Sequence, residues 1–380
     1  MSLAQTLLKK VPQYTRNGRH FRAVLQHGTP RKLANLARAE MERKQHKIEC
    51  KSSPYLLIID PCNYCNLRCP LCPTGLNDLG RPQSMLSLAH FKKYFDPLAD
   101  TLFEAYMHNW GESMLNKEVF SMISHAQSCN VGTNLSSNFV RVSTDDMDRL
   151  LDSGLEYLVI SLDGTSPETY IQYRVNGDYD KVIANLTEFI RRRNARKLKT
   201  PVIEWQFIVM KQNEHQIGEA EVLAKKIGVD LLRFIPVGMP YEFKNRKETA
   251  DKWYPLGIKG RVDSDHSEQQ FGQANKPSPC FYLYRSMVIN PDGGVSPCCV
   301  VYRKNRDFAD LSATEHIDVN AVWNNEKYRS ARSLFSEYEV PGRRATVCDG
   351  CDLFAHHPSK AKLTKPIPPL VTIDRASNGL

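Results

Sequence analysis

The chain has 380 residues, 41% hydrophobic and 24% charged, so most of it is expected to fold around one large core with a smaller appendix. No apolar run approaches about 18 residues and no signal-peptide pattern opens the chain, which argues against a membrane-spanning or secreted protein and for a cytoplasmic one. The formal charge of +9 is concentrated in residues 1–51, which hold 12 Lys and Arg against 3 acids, while the rest of the chain is balanced.

Residues 1–51 read as a basic helical arm. Thr29-Pro30 is a natural N-cap and first helical position; beyond it Leu33, Leu36, Ala37 and Met41 share one face, with Lys32, Arg38 and Arg43 off that face. Such an arm suits a solvated basic helix packed across the open side of a barrel, or attachment to an anionic membrane surface or an acidic partner, peripheral to the inner membrane face. Aromatic residues are not interleaved with these charges, so nucleic acid fits poorly.

Across residues 52–241, short β-rich runs near 55–60, 103–109, 131–135, 157–163, 202–210 and 231–236 alternate with helical patterns such as 145–153, 179–193 and 214–227. The alternation predicts an α/β fold with a parallel sheet, in which chemistry gathers at the C-terminal ends of the strands. Residues 242–279, polar and rich in Lys, Asp, Gln and Pro, read as a linker or lid. Residues 280–357 form a smaller cysteine-rich module, and the Pro-rich 358–380 is an extended or disordered tail.

Eleven cysteines in a reducing compartment point to metal ligation, and most cluster in residues 62–72, 280–299 and 348–351. Directly after the first strand, Cys65, Cys69 and Cys72 stand as C-x3-C-x2-C. Three thiolates on one tight loop can hold three corners of a [4Fe–4S] cube and leave the fourth iron open. The alternative is a zinc knuckle with Cys62 as fourth ligand, although zinc is usually held by two close pairs. Further on, Cys280, Cys298, Cys348 and Cys351 can complete a second cluster or a structural zinc site. The run from Ile289 to Val295, Ile-Asn-Pro-Asp-Gly-Gly-Val, reads as a hairpin turn that brings Cys280 and Cys298 together, with Cys299 competing with Cys298 as ligand. Cys50 and Cys129 are isolated and read as ordinary buried thiols.

The order of motifs at successive strand ends resembles the radical S-adenosylmethionine (SAM) superfamily over most of residues 55–353. Trp110-Gly111-Glu112-Ser113, after the second strand, is similar to the family's Gly-Gly-Glu-Pro motif for the SAM amino group, with Glu112 the match and Trp110 and Ser113 departures. Thr133-Asn134, after the third strand, resembles a segment that lies near SAM. Ser161-Leu-Asp163-Gly resembles the ribose and carboxylate contact, and the resemblance makes Arg174 the partner of the methionine carboxylate. Leu71 stands where many members have an aromatic beside the adenine. The later cysteines resemble the first half of a SPASM domain, closer to its shortened, twitch-like form because no cysteine follows Cys351.

The resemblance implies a partial (β/α)6 TIM-like barrel followed by a small auxiliary-cluster domain, with SAM and two [4Fe–4S] clusters as cofactors. It implies reductive cleavage of SAM to a 5′-deoxyadenosyl radical, hydrogen abstraction from a substrate, and an electron donor such as flavodoxin or ferredoxin. A fully ligated auxiliary cluster has no open iron, which favours an oxidoreductase acting on a small molecule with that cluster as electron acceptor. A peptide maturase or an epimerase of the SPASM type is the alternative, and a non-catalytic zinc-binding scaffold is the reading from another class. Polar residues in otherwise apolar strands make His108, Glu204, Gln206 and Arg233 the candidate catalytic or substrate-contacting side chains.

Overall fold

A computed structural model of the chain describes residues 16–240, 246–255, 279–336, 342–351 and 371–372. The chain divides into two compact units. One comprises Met1–Tyr64, Leu79–Asn134 and Gln273–His357; the other comprises Cys65–Asp78, Leu135–Gly272 and Pro358–Leu380.

All six expected strands form. They are β1 (Leu56–Ile59), β2 (Glu104–Tyr106), β3 (Gly132–Ser137), β4 (Tyr157–Ser161), β5 (Val202–Val209) and β6 (Leu231–Pro236). In the first unit β1 runs parallel to β2, with Leu56 opposite Glu104, and β2 parallel to the start of β3, with Glu104 opposite Gly132. In the second unit β5 runs parallel to β4 and to β6, pairing Tyr157 with Val202 and Glu204 with Leu231. The apolar run of β4 is buried throughout, as parallel strands covered on both faces require. The helices begin where the sequence supplies caps. Ser87 accepts from the His90 N–H before Leu88–Ala99, Ser143 and Asp146 form a capping box before Thr144–Asp152, and Asp178 accepts from the Lys181 N–H before Tyr179–Ala195.

The cysteine-rich module is continuous with the sheet of the first unit. β7 (Ser286–Ile289) pairs in parallel with β1, setting Leu56 opposite Ser286, and β8 (Gly294–Ser296) and β9 (Ala309–Asp310) follow as antiparallel neighbours. The turn between β7 and β8 is the expected hairpin, closed by Gly293 at φ +81°, a left-handed conformation that glycine adopts without strain. In the segment expected as a linker, the helix Arg246–Trp253 forms and buries Ala250 and Trp253, while residues 256–278 lie outside those described. Of the tail, Val371–Thr372 adds an antiparallel strand, β10, to β6; the remainder also lies outside the described residues.

The N-terminal arm corrects its sequence reading in two respects. First, the helix Pro30–Lys44 starts at the Thr29 cap as expected, yet it docks near the amino ends of the strands. Ala23 and Ala39 pack with Tyr55 and Phe103, the residues just before β1 and β2. Second, the expected face is split. Leu36 packs against that core and Lys32 and Glu42 are buried with Ala39, whereas Leu33, Ala37 and Met41 are exposed. Hydrogen bonds decide the orientation. Lys32 Nζ donates to Asn130 O at 2.5 Å, Asn35 exchanges two bonds of 2.9 Å with the Ser53 backbone, and Glu42 accepts from the backbone N–H groups of Lys51 and Ser52 and from the Ser52 hydroxyl. Glu40 binds Arg285 at 2.5 and 2.6 Å; burial alone would raise its carboxyl, but the bonds from Arg285, Tyr55 and Arg43 hold it at about 2.

The second unit contains a fully buried ion pair. Arg193, near the end of Tyr179–Ala195, donates to Asp230 at 2.5 Å and to Pro201 O at 3.0 Å, and Asp230 also accepts from the Ile203 N–H at 2.7 Å. Asp230→Ala leaves a guanidinium buried without its counter-charge and should lower the unfolding free energy by about 3–5 kcal/mol. Pairing it with Arg193→Met should restore most of that loss, as measured by urea denaturation of both variants.

Candidate active site

In the second unit, the loop from Cys65 to Asp78 is folded by backbone hydrogen bonds within it and by one to Val175. The Cys72 N–H donates to Cys69 O at 3.1 Å, Leu76 N–H to Cys72 O at 2.9 Å, and Arg68 N–H to Val175 O at 2.9 Å. Sulfur acceptors are already engaged. Cys65 Sγ accepts from the Leu67 N–H at 3.3 Å and from Asn138 Nδ2 at 3.6 Å, and Arg174 Nη1 lies 3.9 Å from Cys69 Sγ. Donors aimed at sulfur favour thiolates and tune any cluster they hold. Burial raises the Cys69 thiol, and the Arg174 guanidinium pulls it back.

Arg174 does not stand free for a ligand carboxylate alone: its Nε donates to the buried Asp163 at 2.6 Å. Asp163 also accepts from the Ile208 N–H at 2.6 Å; burial pushes its carboxyl up while Arg174 and Ile208 oppose that shift. Ser161 Oγ lies 3.5 Å from Ser136 Oγ. The structure thus brings together Cys69, Asp163 and Arg174. Glu204 and Arg233 instead satisfy each other, through two bonds of 2.8 Å, and Tyr157 donates to the same carboxylate, so both act as a structural pair; Gln206 is half-buried on the same strand.

In the first unit, Trp110, Gly111 and Glu112 are fixed by the end of β1. The buried Asp60 carboxylate accepts from the Trp110 N–H at 2.9 Å and the Gly111 N–H at 3.3 Å, and the Glu112 N–H donates to Tyr64 O at 3.0 Å. A Cβ at Gly111 would stand 1.8 Å from Cys62 O, so only glycine lets the two loops approach. Cys62 is buried and its thiol donates to Glu112 O at 3.0 Å, a structural role in place of the fourth zinc ligand considered from the sequence. Glu112 is buried and caps the turn Ser113–Leu115 through the Met114 N–H, and Trp110 packs edge-on against Tyr302. Asn134 is buried with its Oδ1 lacking a hydrogen-bond partner among the described residues, an acceptor that a bound amine or hydroxyl would satisfy. His108 has its Nδ1 in the same condition. Burial and nearby Arg19 lower it to about 4, so it is neutral at physiological pH.

Cys280, Cys298, Cys348 and Cys351 also fall in the first unit, together with Cys299. Burial raises the thiols of Cys280, Cys298 and Cys348, and mutual repulsion among these cysteines adds to the rise. Cys299 Sγ is 3.2 Å from the Tyr282 hydroxyl; Cys280 feels Cys351 and Cys299, and Cys298 feels Cys299, Cys348 and Cys280, so both neighbouring cysteines stand close to the set. Thr346 and Asp349 form a capping box around the turn Val347–Gly350 that carries Cys348. Arg81, fully buried, ties the hairpin turn in place through Asp292, Asp307 and Tyr302 O.

The donor sets fit iron–sulfur clusters better than single zinc ions. Tetrahedral zinc holds its sulfurs about 3.8 Å apart, given bonds of about 2.3 Å. Among the described residues the one trio of possible ligand atoms within 4.8 Å of one another is Asp96, His125 and Cys129, and neither cysteine set forms such a trio. Cys129 is therefore half-buried beside His125, 3.9 Å from its Nε2, and not the ordinary buried thiol expected; Cys50 is that, its thiol pushed up to about 11 by burial.

Sequence reasoning passed over Asp60 and Asn138. The first had a signal, a lone acid ending an apolar strand; the second had none. Asp60→Ala removes the acceptor for two backbone N–H groups of the loop expected to hold the SAM amino group. It should weaken SAM binding to cluster-loaded protein about tenfold or more, and equilibrium binding of labelled SAM measures it. Unchanged affinity would detach Asp60 from the site.

Comparison with known proteins follows the same division. Residues 59–203 match the radical SAM superfamily, and residues 280–352 match an iron–sulfur cluster-binding domain, SPASM. The chain is 28% identical to the pre-heme d1 synthase of Dinoroseobacter shibae over 190 residues, which is 49% of this chain and only 45% of that protein's length. It is 24% identical to the PqqA peptide cyclase of Rhodopseudomonas palustris over 327 residues, 82% of each chain. In fold it is similar to SuiB of Streptococcus suis, with a TM-score of 0.58 to the SAM-bound form at 15% identity, covering 87% of this chain and 79% of SuiB. The form of SuiB bound to the precursor peptide SuiA gives 0.55 at 15% identity, over 79% of this chain and 71% of SuiB. The first domain binds SAM and a [4Fe–4S] cluster, and the SPASM domain binds additional iron–sulfur. Strand-end motifs, an α/β architecture with a parallel core and both domain matches together make this chain a member of the radical SAM superfamily with a C-terminal SPASM module.

Proposed function

We propose that this radical SAM enzyme modifies a peptide, in place of the small-molecule oxidation expected from the sequence. The observation that carries the reading is the span of its likeness to PqqA peptide cyclase, which runs through 82% of both chains, whereas the likeness to the pre-heme d1 synthase covers half of this one. The fold shared with SuiB, which has been seen with a precursor peptide, is consistent with it.

In this reading Cys65, Cys69 and Cys72 hold the SAM-binding cluster. The Trp110-Gly111 backbone, Glu112, Asn134, Ser161, Asp163 and Arg174 hold SAM, and Cys280, Cys298, Cys348 and Cys351 hold the auxiliary cluster. Bound there, SAM and its cluster supply hydrogen-atom abstraction, and the auxiliary cluster a sink for one electron. The chain's own contribution is positioning. Asp60 orients the Trp110-Gly111 N–H groups, the Asp163 carboxylate fixes the Arg174 guanidinium, and Asn134 offers an unmatched acceptor. His108, neutral and with an unmatched ring nitrogen, is the side chain suited to a substrate contact once Glu204 and Arg233 are set aside as a structural pair. Joining two side chains of a peptide removes two hydrogens, one as an atom and one as a proton plus an electron. A complete four-cysteine auxiliary set suits that demand.

Anaerobic co-expression with a panel of candidate precursor peptides, followed by mass spectrometry, tests the reading. A peptide lighter by two hydrogens, together with stimulated 5′-deoxyadenosine formation, is the expected result. His108→Gln should lower product yield about tenfold or more without lowering basal SAM cleavage. Turnover of a small molecule with every peptide unchanged would return the function to small-molecule oxidation.

A further inference from the structure

The helix Pro30–Lys44 is amphipathic with its polar side turned inward. Leu33, Ala37 and Met41, four residues apart, form one stripe, and Leu33 is 46% and Met41 53% exposed. Arg38 and Lys44 stand exposed on the same outer side, and Phe21 of the preceding helix, Arg16–His27, is 47% exposed. At the turn joining the helices, the Leu33 side chain lies against Gly28, so the stripe reaches the junction.

The acids of the helix are arranged the opposite way. Of the three acids in residues 1–51, Glu40 and Glu42 lie in the helix, and Glu49, beyond it, is exposed. Glu40 is consumed by Arg285, Tyr55 and Arg43, and Glu42 is buried under Lys51 and Ser52, so neither presents charge outward. What faces out is an apolar row edged by cations. Single exposed apolar residues are ordinary on any surface, but a row at helical spacing with both acids of the helix turned inward is the pattern of a helix lying in a lipid interface.

We propose that the outer face of Pro30–Lys44 docks the enzyme on an anionic phospholipid surface. Leu33 and Met41 enter the headgroup boundary, and Arg38 and Lys44 meet lipid phosphates. Charge complementarity selects the occupant. The arm carries 12 Lys and Arg against 3 acids, and an anionic leaflet strengthens binding about fivefold for each basic side chain near it. Among the described residues no helix is long and apolar enough to cross a membrane.

Co-sedimentation of the cluster-loaded full chain tests this with vesicles of equal parts phosphatidylglycerol and phosphatidylcholine, and with phosphatidylcholine alone. Binding to the mixed vesicles, weakened by salt and absent from the neutral ones, is expected. Leu33→Ser with Met41→Ser should reduce vesicle affinity about tenfold, and Arg38→Glu with Lys44→Glu by more, because each reversal counts twice. None of these residues belongs to the cofactor machinery, so SAM cleavage should stay unchanged in both variants and reports that they fold. Failure of the parent chain to bind anionic vesicles, or full binding by the two variants, overturns the proposal and leaves the face to a protein partner.

Discussion

The carboxylate of Asp60 is buried at the end of β1, where burial raises it to about 7 against the opposing pull of backbone N–H groups and Arg81. Its side chain holds the Trp110 and Gly111 N–H groups, and its own N–H donates to Ile289 O at the end of β7. One residue therefore joins the strand that leads into the cysteine loop, the turn that carries Glu112 and the hairpin of the SPASM module. Both N–H groups converge on Oδ2, while the buried Oδ1 lacks a hydrogen-bond partner among the described residues, so the cost of burying this carboxyl is offset through one oxygen. Gly111 is the complementary requirement, since any Cβ there would collide with Cys62 O.

The joining of β7 to β1 gives the auxiliary module a mechanical consequence. Its hairpin is part of the same sheet as β1 and β2, and buried Arg81 locks the hairpin turn through Asp292 and Asp307. The cysteines at its margins are thus set by sheet register as well as by their own loops.

How much of this can be read from sequence depends on whether the determining pattern is local. The six parallel strands are legible because apolar runs such as Tyr157-Leu-Val-Ile-Ser161 carry their own signal, and so are the helices that begin at Ser143 and Asp178. The cysteine spacing and the order of the strand-end motifs mark the site for the same reason. The partnership of Asp60 with residues 50 positions later has no local trace, and neither does the pairing of β7 with β1. In the arm, periodicity puts Leu33, Leu36, Ala37 and Met41 on one face, but Lys32, Asn35, Glu40 and Glu42 find specific partners in the protein, so that only Leu36 of that face packs inward. A hydrophobic pattern can locate that helix and cannot orient it when hydrogen bonds from its polar face outweigh a few exposed methyl groups.

The central claim is that two cysteine sets hold two clusters with separate tasks, and iron content read beside 5′-deoxyadenosine formation on the same anaerobic preparations tests it most directly. The parent protein should hold about eight irons, and either Cys65→Ala with Cys69→Ala and Cys72→Ala, or Cys348→Ala with Cys351→Ala, should hold about four. Only the first variant should lose SAM cleavage. Cleavage retained by the first variant, or lost together with all the iron in the second, would contradict the division of labour proposed for the two sets.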